Sequence, residues 1–331
     1  MQPQQAGSAP DARKILVTIP ADEHLLAQLR ELSPDLTVVS AENEADIAAE
    51  IGDATAVVGW HLSADMLERA KRLEWIHNAG AGVEGILRMP GFRERDILLT
   101  NSSGVSAPNM AEHAMAMMLA FARRLPWLQR SQEDRAWRVD NALAGIFELT
   151  GQTVVIVGMG AIGRELARRA HAFDMHVISA HRHVSKELPD GVDEEVAIDD
   201  LNAALARADH VVDTLPATQS TSGLFDASRF ASMKRGAYFY NLGRGATVKQ
   251  DDLIAALESG HLAGAGLDVT DPEPLPADSS LWTMENVIIT GHTSGRSPRQ
   301  PERLAALVRE NVRRYVAGED MLNVVDQSHG Y

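Results

Sequence analysis

Glycines at 158, 160 and 163 sit in the run Gly158-Met159-Gly160-Ala161-Ile162-Gly163, directly behind the apolar stretch Thr153–Val157 and ahead of a helical pattern. In that order the first glycine permits a tight turn and the second lets the backbone approach a pyrophosphate. The third lets helix and strand pack closely, and the helix N-terminus offers its unpaired amides to phosphate oxygens. Such a run alone is a weak signal, because many are only turns; the strand before it and the helix after it are what point to a dinucleotide. Three further residues follow apolar stretches in the same half of the chain. Arg244 lies in Asn241-Leu242-Gly243-Arg244-Gly245, Glu273 in Asp271-Pro-Glu-Pro274, and His292 after Val287-Ile-Ile-Thr290-Gly291. Each has a plainer reading: a surface arginine, a rigid solvent turn, a structural histidine. Taken together they supply what hydride transfer to a small keto acid requires. Arginine presents a planar fork for a carboxylate or keto oxygen, and histidine carries a proton near neutral pH. A carboxylate beside that histidine holds its tautomer and favours its charged form.

The second strand of this half ends in Ser179-Ala-His181-Arg182-His183. A site for NAD(H) places an acid about 20 residues beyond the first glycine, where it bonds the ribose 2′-hydroxyl. No acid occurs between Asp174 and Glu187. Arg182, with His181 and His183 beside it, suits a 2′-phosphate instead, so NADP(H) is the expected cofactor and NAD(H) the alternative. His181 and His183 are a poor metal pair, and His113 reads as a packed, hydrogen-bonded residue of a Met-rich helix. No metal is expected. Cysteine is absent, which excludes disulfides, thiolate nucleophiles and cysteine metal sites.

The elements that must position these residues come in two alternating series. In the first, strands are expected at Lys14–Thr18, Leu36–Val39, Ala56–Val58, Trp75–His77 and Ile97–Thr100. Helices are expected at Glu23–Leu32, near Asn43–Ile51, and from the N-cap Ser63. A long Met- and Ala-rich helix, about Asn109–Arg124, separates the series. In the second, strands at Thr153–Val157, His176–Ser179, Val211–Thr214, Tyr238–Asn241 and Val287–Thr290 alternate with helices such as Ile162–Phe173 and Gln250–Ser259. This alternation predicts α/β architecture with two doubly wound parallel sheets. The dinucleotide domain is expected at 107–297. The substrate domain is expected to be discontinuous, 1–106 with 298–331, because the last helix, Pro301–Val316, returns to it.

The 331-residue chain suits two domains. Its formal charge of −15, from 31 basic and 46 acidic residues, disfavours nucleic acid and anionic lipid as partners. The longest apolar run, Ala114–Ala122, is far short of the roughly 20 residues of a membrane helix. Met1–Pro10 lacks the pattern of a secretory signal and reads as a disordered leader. A cytoplasmic protein is the expectation.

The sequence resembles the D-isomer-specific 2-hydroxyacid dehydrogenases, a family that includes glyoxylate/hydroxypyruvate reductases and phosphoglycerate dehydrogenases. The resemblance runs from about Lys14 onward. It is carried by Ala79-Gly-Ala-Gly-Val-Glu84, Met110-Ala-Glu-His113, Gly158–Gly163, Leu215-Pro216-Ala-Thr218, Asn241–Gly245, Gly266-Leu-Asp268-Val269 with Glu273-Pro274, and Gly291-His292. It implies a Rossmann nucleotide domain, a flavodoxin-like substrate domain, and a homodimer joined through 109–137. It implies His292 as acid/base, Glu273 as its partner and Arg244 as substrate clamp, with amides at Ala81, Gly82 and Val83 receiving the substrate carboxylate. Leu215, Pro216, Thr218, Leu242, Gly243 and Asp268 would join the glycine run in holding the cofactor. Glu84 stands where relatives often carry Asp, so the preferred keto acid is open, and specificity is expected near Trp60-His61, Glu84 and Arg296. Two other readings remain at this point: a phosphite-type dehydrogenase and a nucleotide-sensing corepressor on the same fold. A formate-type enzyme would carry Gln in place of Glu273.

Overall fold

A computed structural model describes residues 13–60, 62–137, 145–182, 184 and 186–330. The expected leader Met1–Pro10, His61 and His183 lie outside the described residues. The chain gathers into two compact units, Met1–Val105 with Pro298–Tyr331, and Ser106–Ser297.

In the first unit β1 (Arg13–Val17), β2 (Leu36–Ser40), β3 (Ala56–Gly59), β4 (Trp75–Asn78) and β5 (Leu98–Asn101) form one parallel sheet. Its order β2-β1-β3-β4-β5 is flavodoxin-like. Side chains alternate across it as the strand period requires. Ile15, Val17 and Trp75 face α1 (Glu23–Arg30) and the last helix, while Leu16, Val57, Ile76 and Leu99 face α2 (Glu44–Glu50) and α3 (Ala64–Arg69). α1, α2 and α3 each begin on a side-chain oxygen that satisfies an otherwise unpaired amide. Asp22 accepts from Leu25 N, Asn43 from Asp46 N, and Ser63 from Met66 N at 3.2 Å. A short α4 (Glu84–Leu87) follows the 79–83 loop.

The return of the chain to this unit is carried by the C-terminal helix, Gln300–Ala317. Leu304, Val308 and Val312 enter the core beside Leu25, Leu26 and Leu29 of α1. Arg13 Nη1 donates to the carbonyls of Tyr315 and Val316 at 2.6 and 2.7 Å, satisfying groups in the helix's last turn. The tail then covers the edge of β5, with Val325 N donating to Leu99 O at 2.9 Å.

The second unit opens with α5 (Ala107–Ala122) and α6 (Leu125–Glu133). α5 is the expected helix, and Arg124, with a left-handed φ of 53°, separates it from α6. Seven parallel strands follow: β6 (Thr153–Val157), β7 (His176–His181), β8 (Glu194–Ala197), β9 (His210–Asp213), β10 (Tyr238–Asn241), β11 (Gly264–Leu267) and β12 (Val287–Ile289). Their order, β12-β11-β10-β9-β6-β7-β8, reverses direction of winding between β6 and β9, as in Rossmann folds. One face packs on α5 and α7 (Ala161–Ala172) through Val154, Ile156, Val177 and Tyr240. The other packs on α8 (Leu201–Leu205), α9 (Ala227–Ser232) and α10 (Gln250–Glu258) through Val155, Ile178, Val211 and Phe239.

Two strands were not expected. β8 carries two acids and lies at the sheet edge, half-buried throughout. β11, Gly-Ala-Gly-Leu, has no β-branched residue, yet it is fully buried. A Cβ on Gly266 would stand 2.6 Å from Met117 Sδ and 2.8 Å from Tyr240 Cδ1, so glycine here admits the close approach of α5 and β10. No helix among the described residues is long and apolar enough to cross a membrane.

Leu29 of α1 is fully enclosed in the core that the return helix joins. Leu29→Ala is expected to cost about 2–5 kcal/mol of stability, read by chemical denaturation. A loss within about 0.5 kcal/mol, the range of a surface change, would mean that the return helix does not seal this core.

Candidate active site

In the 106–297 unit the singled-out residues follow the carboxyl ends of the parallel strands, where open α/β sheets bind ligands. After β6 the chain turns at Gly158, whose φ of 100° an L side chain rarely adopts. Gly158 O accepts from Thr214 Oγ1 at 2.9 Å, which ties the turn to the end of β9. A Cβ on Gly163 would lie 2.2 Å from Gly158 O, so the third glycine sets the approach of α7 to the turn. A Cβ on Gly160 would meet nothing within 4 Å. The space over Gly160, at the N-terminus of the twelve-residue α7, therefore fits a phosphate approaching the backbone. Met159 is buried, while Ala161 and Ile162 are half-buried at the start of the helix.

The end of β7 holds His181 and Arg182. His181 Nε2 is 2.6 Å from Glu195 Oε1, and Glu195, on β8, is nearly enclosed. Sequence spacing gave no sign of this acid, because β8 and its register with β7 were not foreseen. Arg182 is exposed and donates from Nη2 to Ser220 Oγ at 3.0 Å. Ser220 Oγ lies 3.1 Å from Thr218 Oγ1, and Thr221 Oγ1 donates to Pro216 O at 2.6 Å, so the loop after β9 is stiffened by its own hydroxyls. Leu215 N donates to Asp213 at 2.9 Å. Leu242 is buried, and a Cβ on Gly243 would meet Leu215 O at 2.5 Å, which packs the β10 turn on the β9 loop.

Arg244, Glu273 and His292 come from turns after three neighbouring strands, β10, β11 and β12. Asn241 Nδ2 donates to Arg244 O at 3.0 Å, and Arg244 Nη1 donates to Gly243 O at 2.8 Å. A Cβ on Gly245 would stand 1.9 Å from Thr270 O, so the Arg244 turn presses on the chain leading to Glu273. His292 Nδ1 and Glu273 Oε1 are 2.9 Å apart, with both side chains substantially exposed.

His292 has a left-handed φ of 58°, a costly conformation for a residue with a Cβ. Asp268 holds it there. His292 N donates to Asp268 O at 2.6 Å, and the Asp268 carboxylate accepts from Thr290 Oγ1 at 2.6 Å and from Thr293 N at 2.9 Å. It also accepts from Ser294 N at 3.1 Å and from Ser294 Oγ. Burial raises the pKa of this carboxyl, but the bonds from Ser294, Thr290 and Thr293 outweigh it and hold it below the ordinary value. The carboxylate expected at the cofactor is thus directed into the turn that carries His292. His113 joins the same cluster, its Nε2 3.0 Å from Thr290 Oγ1, rather than belonging only to the core.

In the other unit the 79–83 loop has its carbonyls turned inward. Asn78 Nδ2 donates to Gly80 O and Gly82 O at 3.0 and 2.7 Å, and Asn101 Nδ2 donates to Ala81 O at 2.9 Å. Among the described residues the amides of Ala81, Gly82 and Val83 have no protein acceptor. Trp60 lies against this loop, 3.0 Å from the position of a Cβ on Gly80.

The model of the NAD binding domain of D-isomer specific 2-hydroxyacid dehydrogenases matches residues 115–294. The chain belongs to the D-isomer specific 2-hydroxyacid dehydrogenase family. A glyoxylate reductase from Korarchaeum cryptofilum is 34% identical over 273 residues, 80% of each chain. A D-3-phosphoglycerate dehydrogenase from Methanocaldococcus jannaschii is 32% identical over 316 residues, 95% of this chain, which spans only 59% of that relative's length. An NADPH-dependent glyoxylate/hydroxypyruvate reductase from Sinorhizobium meliloti, solved with NADP and sulfate, is 30% identical. It superposes with a TM-score of 0.83 over 96% of this chain and 100% of that one.

The glycine run makes opposite demands at its second and third positions. Gly160→Ala should leave stability unchanged or raise it by up to about 1 kcal/mol, yet weaken dinucleotide binding about tenfold, roughly 1.4 kcal/mol. Gly163→Ala should cost about 1–3 kcal/mol of stability through its clash with the turn. Melting curves and a fluorescence titration with NADPH read both effects. Unaltered binding in Gly160→Ala would remove the pyrophosphate from this turn.

Proposed function

We propose that this chain is an NADPH-dependent reductase of small 2-keto acids, of the glyoxylate or hydroxypyruvate type. The His292–Glu273 pair, 2.9 Å apart beside the Arg244 turn, carries this reading. A dinucleotide held at the Gly158–Gly163 turn would supply hydride for the carbonyl carbon of the substrate. Glu273 engages Nδ1 of His292, which leaves Nε2 as the ring atom that gives its proton to the carbonyl oxygen. After that transfer the ring keeps its Nδ1 proton against Glu273, and Nε2 takes a new proton from water, to which the half-exposed side chain is open. Arg244 presents its fork to the substrate carboxylate or keto oxygen. In the other unit the amides of Ala81, Gly82 and Val83, which have no protein acceptor among the described residues, are also of a kind that suits a carboxylate. Glu273 favours proton-coupled chemistry over formate oxidation, in which no proton needs to be moved.

His292→Ala is expected to lose about 10²–10⁴ in kcat with glyoxylate, while NADPH still binds. Arg244→Lys keeps the charge but loses the fork, and should lower kcat/KM at least about tenfold, roughly 1.4 kcal/mol of transition-state binding. A panel containing glyoxylate, hydroxypyruvate, phosphohydroxypyruvate and phosphite, ranked by kcat/KM, tests the substrate class. Wild-type kinetics in Arg244→Ala would end its assignment, and turnover of phosphite alone would replace the keto-acid reading.

NADPH is favoured by the charge at the end of β7. Arg182, with the Ser220 hydroxyl 3.0 Å from its guanidinium, suits a 2′-phosphate, while His181 faces Glu195. The Sinorhizobium relative, solved with NADP, supports the same choice. Arg182→Ala is expected to lower kcat/KM for NADPH at least about tenfold and to leave NADH nearly unchanged. A wild-type preference for NADH would overturn the cofactor assignment and leave the proton chemistry standing.

A further inference from the structure

Asp213 ends β9 in the middle of the seven-stranded sheet, and its side chain is fully enclosed. Oδ1 accepts from Leu215 N at 2.9 Å, and Oδ2 meets the hydroxyl of Thr247, also fully buried. The same hydroxyl lies 2.6 Å from the carbonyl oxygen of Arg244. A threonine hydroxyl carries one proton. If Asp213 were ionised, Thr247 Oγ1 would have an acceptor on each side, and one of the two contacts would contain no hydrogen. The groups facing Asp213 from neighbouring elements do not compensate a charge. They are Val157 on β6, Asn241 on β10 and the backbone of the 244–248 turn, and among the described residues no ion pair reaches its carboxyl.

We infer that Asp213 is held as a neutral acid and is a positioning residue for Arg244: its O–H donates to Thr247 Oγ1, whose own proton goes to the Arg244 carbonyl. The chain Asp213–Thr247–Arg244 then satisfies every oxygen in it, and it fixes the turn from which the guanidinium projects. What Arg244 does there rests on the proposed function; the proton chain itself does not. Burial acts in the same direction, raising the Asp213 carboxyl to about 7 against the opposing bonds from Thr247 and Leu215. Above that pH Asp213 loses its proton, Thr247 turns to the carboxylate, and the Arg244 carbonyl loses a donor. The effect on stability has the same sign. Between the ordinary value of 3.8 and about 7 the native state holds a proton that the unfolded state has released, so stability falls as pH rises through this window.

Asp213→Asn supplies an amide that donates to Thr247 at every pH. Melting of the wild-type protein and Asp213→Asn, without ligands, is compared from about pH 5 to about pH 9. The variant should gain on the wild type as pH rises toward about 7 and hold that gain above it; a difference that does not vary with pH overturns the neutral acid. Hydrogen exchange of the 244–248 amides, corrected for intrinsic rate, should quicken above that pH in the wild type and not in Asp213→Asn. Equal behaviour overturns the link to the turn. With NADPH saturating, KM for the best keto acid should rise roughly tenfold over the alkaline part of the range in wild type and stay flat in Asp213→Asn. Thr247→Val should show the raised KM at every pH. If no keto acid is turned over, the proposed function fails, while melting and exchange still decide the proton chain.

Discussion

Parallel strands all end on the same side of a sheet, and the last carbonyls and amides of each strand have no ladder partner beyond that edge. In the 106–297 unit this single constraint collects Gly158, Leu215, Arg244, Asp268 and His292 from positions more than a hundred residues apart. It also means that each turn must be fixed by bonds of its own, because the ladder no longer holds it. Polar side chains buried at the strand ends do that work. Two of them are acids on strands one apart in the sheet, β9 and β11, and they meet burial in opposite ways. Asp268 gathers bonds from Thr290, Thr293 and Ser294, enough to keep a carboxylate charged in the interior. Asp213 has one amide and one hydroxyl, and the hydroxyl is also called on by Arg244. The count of donors, together with the depth of burial, separates a carboxylate that anchors a turn from an acid that donates into one.

That difference bears on how the candidate catalytic groups are held. His292 adopts a left-handed conformation that a residue with a Cβ resists, and the Asp268 cluster is what over-determines it. Exposure of the His292 and Glu273 side chains lets protons exchange with water, while the backbone beneath them is fixed by buried bonds. The Arg244 turn is secured differently, by the Asn241 amide, the Thr247 proton and the press of Gly245 on residue 270. Neighbouring turns thus combine solvent-exposed side chains with a backbone fixed by buried bonds.

Much of this was legible in the sequence, and the parts that were not have a common cause. Strand–helix alternation, the Ser63 cap, the glycine run and the return of the last helix are local or periodic signals, and each corresponds to an element that the chain forms. Arg244 and His292 could be singled out because each follows an apolar run, and Glu273 because two prolines hold it on a stiff loop. The roles of Asp213, Thr247, Thr290 and Ser294 were hidden, although Val211-Val-Asp213 did offer a sign: an acid closing a fully apolar strand has to be explained by a partner. β11 was hidden because its glycines answer to the bulk of Met117 and Tyr240 across the packing, which is tertiary information.

The turn after β7 shows most clearly what spacing along one strand leaves out. Counting from Gly158 finds only basic residues at the ribose end, and that count is right for the chain. In the sheet, however, β8 lies beside β7 in parallel, its Glu195 level with Ser179, and the Glu195 carboxylate reaches His181 at 2.6 Å. An acid is therefore present near the turn, supplied by the next strand and directed at a histidine. Where such a carboxylate points matters more than its presence: one facing outward from the end of β7 would repel a 2′-phosphate, whereas this one is nearly enclosed and faces His181. Arg182 stands exposed at the turn and donates to Ser220 on the loop after β9. A guanidinium held between two loops loses less freedom on meeting a phosphate than one on a free side chain, and so retains more of its binding energy as affinity.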